Sequence, residues 1–198
     1  MEDSNTMLEV IFNLFTDHPK LLKIYLDKAI DTLLERDLYL LKKGLHERAI
    51  SHRLAVYIEW LFGQWFDVDC EYNGDEEHES GRKIIENICI KYSGNNSKKF
   101  NCNNCRNEVS VYPDIIVHKR RVNKFNLFII EVKKVNLSHV LEIEKDIYKL
   151  KQYTKSTINN KNKFCYKYGV FIGFYIGDKA KEKSLIKWFK NGEELTID

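Results

Sequence analysis

The chain turns on residues 111–134, which read VYPDIIVHKRRVNKFNLFIIEVKK. Two apolar runs, Asp114–His118 and Asn126–Val132, flank a basic, polar stretch from Lys119 to Lys124. Each run is short, rich in Ile, Val and Phe, and bounded by polar residues, which predicts two strands joined by a turn. Side chains alternate between the faces of a strand. Leu127, Ile129, Glu131 and Lys133 therefore share one face, and Phe128, Ile130 and Val132 the other. A carboxylate and an ammonium thus project from the same side of an otherwise apolar strand. Antiparallel pairing would bring Asp114, at the start of the neighbouring strand, opposite Glu131. Two adjacent carboxylates repel one another and raise a pKa unless a cation neutralises them. Hard divalent cations such as Mg²⁺ bind through one or two carboxylates and complete their shell with waters and substrate phosphates.

Pro113-Asp114, followed after a turn by Glu131-Val132-Lys133, resembles the signature of the PD-(D/E)XK nuclease superfamily, the restriction-endonuclease-like proteins. Glu131-Val132-Lys133 is the only acidic-x-Lys triplet in the chain and closes a hydrophobic strand. Pro113 is one of only two prolines and stands at a strand start, where a missing N–H is tolerated. The resemblance implies an α/β fold with a restriction-endonuclease-like αβββαβ core over residues 46–176, a central mixed sheet flanked by helices. It implies hydrolysis of phosphodiester bonds in nucleic acid, DNA ahead of RNA, supported by Mg²⁺ or Mn²⁺. Asp114, Glu131 and the Val132 carbonyl are then the metal ligands. Lys133 orients or deprotonates the attacking water, or stabilises charge growing on the phosphate. Many members also carry a Glu on the helix before the first strand, and Glu47 matches it; a helix-dipole role is the alternative for Glu47. The competing interpretation of the motif itself is an edge strand with a surface Glu–Lys pair. A catalytically inactive nucleic-acid-binding or protein-interaction module on the same fold is the alternative function.

Composition is consistent with one globular domain bearing a helical extension. The chain has 198 residues, 43% of them hydrophobic and 13% aromatic. No apolar run approaches the ~20 residues that span a bilayer, so no membrane association is expected. The acidic start, MEDSNTMLEV, is unlike a secretory signal, and an intracellular, cytoplasmic protein is expected. Five cysteines in such a chain argue against a disulfide framework. The net charge of +3 conceals an asymmetry: residues 1–110 carry 14 Lys and Arg against 19 Asp and Glu, residues 111–198 carry 18 against 10. The half holding the carboxylate pair is the basic half, as phosphate binding requires.

In chain order, residues 1–44 read as an N-terminal helical extension and 45–198 as the nuclease-like domain, with an insertion at about 73–110. Leu8, Ile11, Phe12 and Phe15 mark a first helix, and Pro19 opens a second that runs to about Lys43 and stops at Gly44. These helices offer a surface for a protein partner or a homodimer. A third helix, Leu45 to about Trp65, carries Glu47. Phe66–Tyr72 alternates as a strand with an acidic face, Asp67, Asp69 and Glu71, from which Asp69 or Glu71 is a candidate to join the site. Lys83–Tyr92 has strand character. Cys102-Asn103-Asn104-Cys105 has the spacing of a zinc knuckle but supplies two of the four ligands a structural Zn²⁺ needs, so a reduced loop without zinc is the expectation. Helix Leu141–Ser156 and buried strand Tyr168–Ile176 complete the core, followed by a helix Ala180–Phe189 and a tail Glu193–Ile197. Lys119, Arg120, Arg121 and Lys124 at the far end of the hairpin, with Lys149 on the later helix, are candidates for holding backbone phosphates. A solvated turn is the alternative for the first four.

Overall fold

Apolar residues at helical spacing make the first third of the chain helical. The computed structural model describes residues 2–75, 79–86, 108–135, 140–155 and 164–197. Helix α1 (Glu2–Asp17) ends at His18, and Pro19 opens α2 (Pro19–Arg36), where its missing N–H has no helical partner to lose. Helices α3 (Leu38–Lys42) and α4 (Glu47–Phe62) follow. Leu8, Phe12 and Phe15 of α1, Leu22, Leu26 and Leu33 of α2, and Ile50, Leu54 and Ile58 of α4 bury together in one cluster.

The expected single helix from Pro19 to Lys43 is broken at Asp37, which leaves helical geometry at φ −124°, ψ 20°. Its carboxylate accepts hydrogen bonds from Arg53 Nε, at 2.8 Å, and from the Tyr57 hydroxyl, both on α4. This charge-assisted pair with another helix compensates for the break. Gly44, at φ +57°, then takes the left-handed conformation that turns the chain toward α4.

Strand β1 (Asp67–Cys70) is followed by a short antiparallel ribbon, β2 (Ile84–Glu86) with β3 (Glu108–Ser110), and then by β4 (Ile115–His118) and β5 (Phe128–Val135). Helix α5 (Val140–Thr154) crosses to β6 (Tyr168–Tyr175), and β7 (Leu185–Lys190) and β8 (Glu193–Leu195) end the described chain. The main sheet has six strands in the order β1-β4-β5-β6-β7-β8. Among the described strands only β5 and β6 run parallel, as a helical crossover demands. The sheet is covered on both faces. Phe128, Ile130 and Val132 of β5 bury against the four N-terminal helices, whereas Ile129 packs in a second cluster with Leu150 and Tyr153 of α5. Among the described residues no helix is long and apolar enough to cross a membrane.

The expected C-terminal helix Ala180–Phe189 is instead the strand β7, paired antiparallel with β6 and with β8. Asn191 and Gly192, at φ 54° and 83°, supply the two left-handed residues of a tight hairpin turn. Trp188 buries on one side of the sheet and Phe189 on the other, which fixes period-two geometry where the sequence alone also permits a helix.

The insertion docks through polar groups. Asn73 Nδ2 donates to the carbonyls of Val111 (2.5 Å) and Lys83 (3.2 Å). Lys83, 2% exposed, donates to the Gly74 carbonyl and lies over the Tyr72 ring at 4.7 Å. Burial pulls its ammonium down to about 8, against the raising charges of Asp75 and Asp69. A lysine whose folded pKa lies below its unfolded value destabilises the fold while charged and ceases to do so as pH rises from the folded to the unfolded value. Stability should therefore rise by about 1 kcal/mol between pH 8 and 9, since a full pKa unit is worth ~1.4 kcal/mol. Urea unfolding at both pH values checks this, and Lys83→Met should remove the rise.

Candidate functional site

The register of β4 with β5 pairs Ile115 with Ile130 and Ile116 with Ile129. Carried one step outward, it sets Asp114 beside Glu131, on the sheet face covered by α5. Asp114 Oδ2 accepts the Val132 N–H at 2.7 Å, and the Asp114 carbonyl accepts the Glu71 N–H at 3.3 Å, so neighbouring strands hold it from both sides. Glu131 is 3% exposed in the centre of the sheet, with Oε2 3.5 Å from Lys149 Nζ on α5. Its other oxygen, Oε1, has no hydrogen-bond partner among the described residues. Burial, reinforced by the charge of Asp146, raises Asp114 to about 6, against the Val132 N–H and Lys133. Burial also drives Glu131 well above the usual carboxylate range, with Asp114 and Asp146 adding to it and Lys149 opposing.

Lys133, two residues along the same face, lies 3.3 Å from Glu47 Oε2 and 3.4 Å from Asp146 Oδ2, so its ammonium bridges the helical layers on the two sides of the sheet. Burial lowers its pKa, but Asp146 and Glu47 outweigh burial and the net shift is upward. Glu47, at the first position of α4, also accepts the Lys134 N–H on Oε1 at 3.1 Å. Both of its oxygens are thus directed to the end of β5, in addition to any favourable effect of its charge at a helix start.

Asp146 is the residue that sequence reading missed. It is 4% exposed, and its Oδ1 accepts from Lys149 Nζ at 2.6 Å. Lys149 feels burial pulling it down, and Glu131 and Asp146 more than reverse this. The signal was present: Asp146 lies three residues after Ile143 and four before Leu150, inside the apolar stripe of α5, where a carboxylate must find a partner. Gly169 of β6 lets α5 sit close, since a Cβ there would meet Leu150 Cβ at 3.3 Å and Thr154 Cγ2 at 3.2 Å. Gly169→Val should push the helix outward and destabilise the fold by about 1–3 kcal/mol, lowering any activity that depends on Lys149. Urea unfolding and the rate measured on the same preparation check it.

Lys133 thus pairs with Glu47 and Asp146, and Lys149 with Glu131 and Asp146. Buried Glu131 Oε1, Asp146 Oδ2 and the Tyr153 hydroxyl lack hydrogen bonds among the described residues. Among the described residues no group of three His, Cys, Asp or Glu side chains is gathered to cage a metal ion. The carboxylate pair Asp114 and Glu131 would suit a hard cation that keeps waters and takes further ligands from a phosphate.

The other sequence candidates lie elsewhere. Lys149 belongs to the carboxylate cluster. Lys119, Arg120, Arg121 and Lys124 sit at the opposite end of the hairpin. Lys119 pairs with Asp67 (3.5 Å), Arg120 with Asp69 (2.5 Å) and Lys124 with Glu9 (3.0 Å), while Arg121 is exposed. Asp69 also bonds His118 at 2.9 Å, and Glu71 pairs with Arg48 at 2.7 Å, so neither carboxylate enters the cluster. Cys102 and Cys105 lie outside the described residues, while Cys70 is a free thiol. No protein-family model, no curated protein and no solved structure matches the chain.

Proposed function

We propose that the protein is a metal-dependent nuclease of the PD-(D/E)XK type, hydrolysing phosphodiester bonds in nucleic acid, DNA ahead of RNA. The observation that carries this reading is the buried carboxylate pair, Asp114 and Glu131, on one sheet face beside Lys133, with a Glu131 oxygen left unpartnered among the described residues. The order α4, β1, β4, β5, α5, β6 in and around a mixed sheet supports it, with the β2–β3 ribbon as an insertion.

Asp114, Glu131 and the Val132 carbonyl would hold Mg²⁺ or Mn²⁺. When bound, such an ion polarises the phosphate and lowers the pKa of a coordinated water toward neutrality. The Val132 N–H fixes the orientation of the Asp114 carboxylate. Glu47 and Asp146 tether the Lys133 ammonium from either side, and so held it would serve as a donor to charge growing on the phosphate oxygens. Lys149 holds Glu131 and Asp146 in place through its own ammonium. Purified protein should cleave DNA when Mg²⁺ is supplied and stop in EDTA. Inertness toward single- and double-stranded DNA and RNA, with Mg²⁺ and with Mn²⁺, would sink the nuclease reading and leave the binding module.

A further inference from the structure

The basic residues best placed to follow a bound strand are not those of the hairpin turn. Lys119, Arg120 and Lys124 are matched by Asp67, Asp69 and Glu9, and they lie at the wrong end of β4. At the end of the sheet that holds the carboxylates, α3 finishes on Lys42 and Lys43. The loop after β6 packs on it: Ile176 Cδ1 lies 3.5 Å from where a Gly44 Cβ would stand, and Ala180 buries in the same core as Leu41. That loop exposes Lys179, Lys181 and Lys183. None of these five lysines makes an ion pair with a described residue, although exposed Asp178 and Glu182 share the loop. The patch adjoins the site directly. Lys134 Nζ donates to the Gly44 carbonyl at 3.2 Å, while its N–H donates to Glu47, which also holds Lys133.

We propose that Lys42, Lys43, Lys179, Lys181 and Lys183 form the track that carries the DNA phosphate backbone away from the carboxylate cluster. This rests on the nuclease reading and adds its binding surface. A scissile phosphate seated at Asp114 and Glu131 is flanked by further phosphates, and unpaired ammonium groups beside the site are what can replace their condensed counterions. Ion-paired lysines at the far end would first have to give up their carboxylates.

The test measures binding of a fluorescein-labelled DNA duplex in EDTA as salt is raised, and cleavage in Mg²⁺ in parallel. It compares wild type, a fivefold Lys→Gln variant of the track, the matching fivefold Lys→Arg variant, and K119Q/R121Q/K124Q. The Gln variant should bind about tenfold or more weakly at low salt, with the slope of log K against log salt flattened by about 2–4 units. Its KM should rise with little change in kcat, because the track touches no reacting atom. The Arg variant should behave as wild type, which separates lost charge from a lost fold. Wild-type affinity and slope in the Gln variant, with the loss appearing in K119Q/R121Q/K124Q, would overturn the track while wild-type cleavage keeps the nuclease reading. Wild-type protein that neither binds nor cuts overturns both. Lysine-dependent binding to phosphatidylserine vesicles without DNA binding would assign the patch to a membrane surface and overturn the proposal.

Discussion

Glu131→Gln is expected to abolish Mg²⁺-dependent cleavage and at the same time to make the protein more stable. The amide keeps the shape of the side chain but removes the negative charge required of a metal ligand, so the rate should fall by about a thousandfold or more if the ion supplies several kcal/mol of transition-state stabilisation. The gain in stability has a separate origin. Glu131 is buried beside Asp114 and Asp146, its Oε1 is unpartnered, and burial favours its neutral form. A neutral amide avoids that penalty, and Lys149 keeps Asp146 at 2.6 Å. A gain of about 1–2 kcal/mol is the scale expected when a strained functional residue is relieved. Asp114→Asn should lose activity to the same extent. Cleavage assays paired with melting temperatures decide the matter. If Glu131→Gln lost activity and stability together, Glu131 would be a structural partner of Lys149 and not a residue held in readiness for a cation.

The largest stability loss should come from Phe128→Ala. Phe128 is fully buried, sits in β5 between β4 and β6, and packs edge-on against Phe62 of α4 with ring centroids 5.3 Å apart. Truncation would open a cavity where the four-helix layer meets the sheet, at a cost of about 3–5 kcal/mol. Against the ~5–15 kcal/mol available to a typical domain, that is enough to leave the variant marginal. Because α4 also carries Glu47, the tether on Lys133 should loosen before the chain unfolds. Urea denaturation gives the number, and a loss below ~1 kcal/mol would mean that α4 is not seated on this face.

What could be read from the sequence follows from the range over which each determinant acts. Asp114, Glu131 and Lys133 were legible because strand alternation is local and because a charge inside an apolar run is conspicuous. The helical register of α1 and α4 was legible for the same reason. The break at Asp37 was not, since its partners Arg53 and Tyr57 lie 16 and 20 residues further on, and nothing near Asp37 announces them. Asp146 was hidden differently: on a helix one polar residue in the stripe reads as an exposed flank until the helix has been placed on the sheet. The C-terminal hairpin had a local signal in Asn191-Gly192. Leu185, Ile186, Trp188 and Phe189 also fit a helical face, and only pairing with β6 decides between the two. The basic turn was correctly seen as basic, but its neutralisation by Asp67, Asp69 and Glu9 is a tertiary fact.

Among the described strands the sheet does not close on itself, and its two borders bear on how the protein behaves at high concentration. An uncovered row of backbone N–H and C=O groups is a template on which another chain can add a strand. Here one border, β1, is four residues long and carries Asp67 and Asp69, and the other, β8, is three residues long and carries Glu193 and Glu194. Borders this short offer an added strand few backbone bonds to gain, and their charged side chains are held in ion pairs such as Arg120–Asp69 and Lys187–Glu194. Residues 185–195, which form β7 and β8, thereby acquire a role unconnected with catalysis. Without β7 and β8, the border would be β6, YGVFIGFY, an uncharged apolar strand of the composition that stacks into fibrils. The β7–β8 hairpin covers that strand by pairing β7 antiparallel with it.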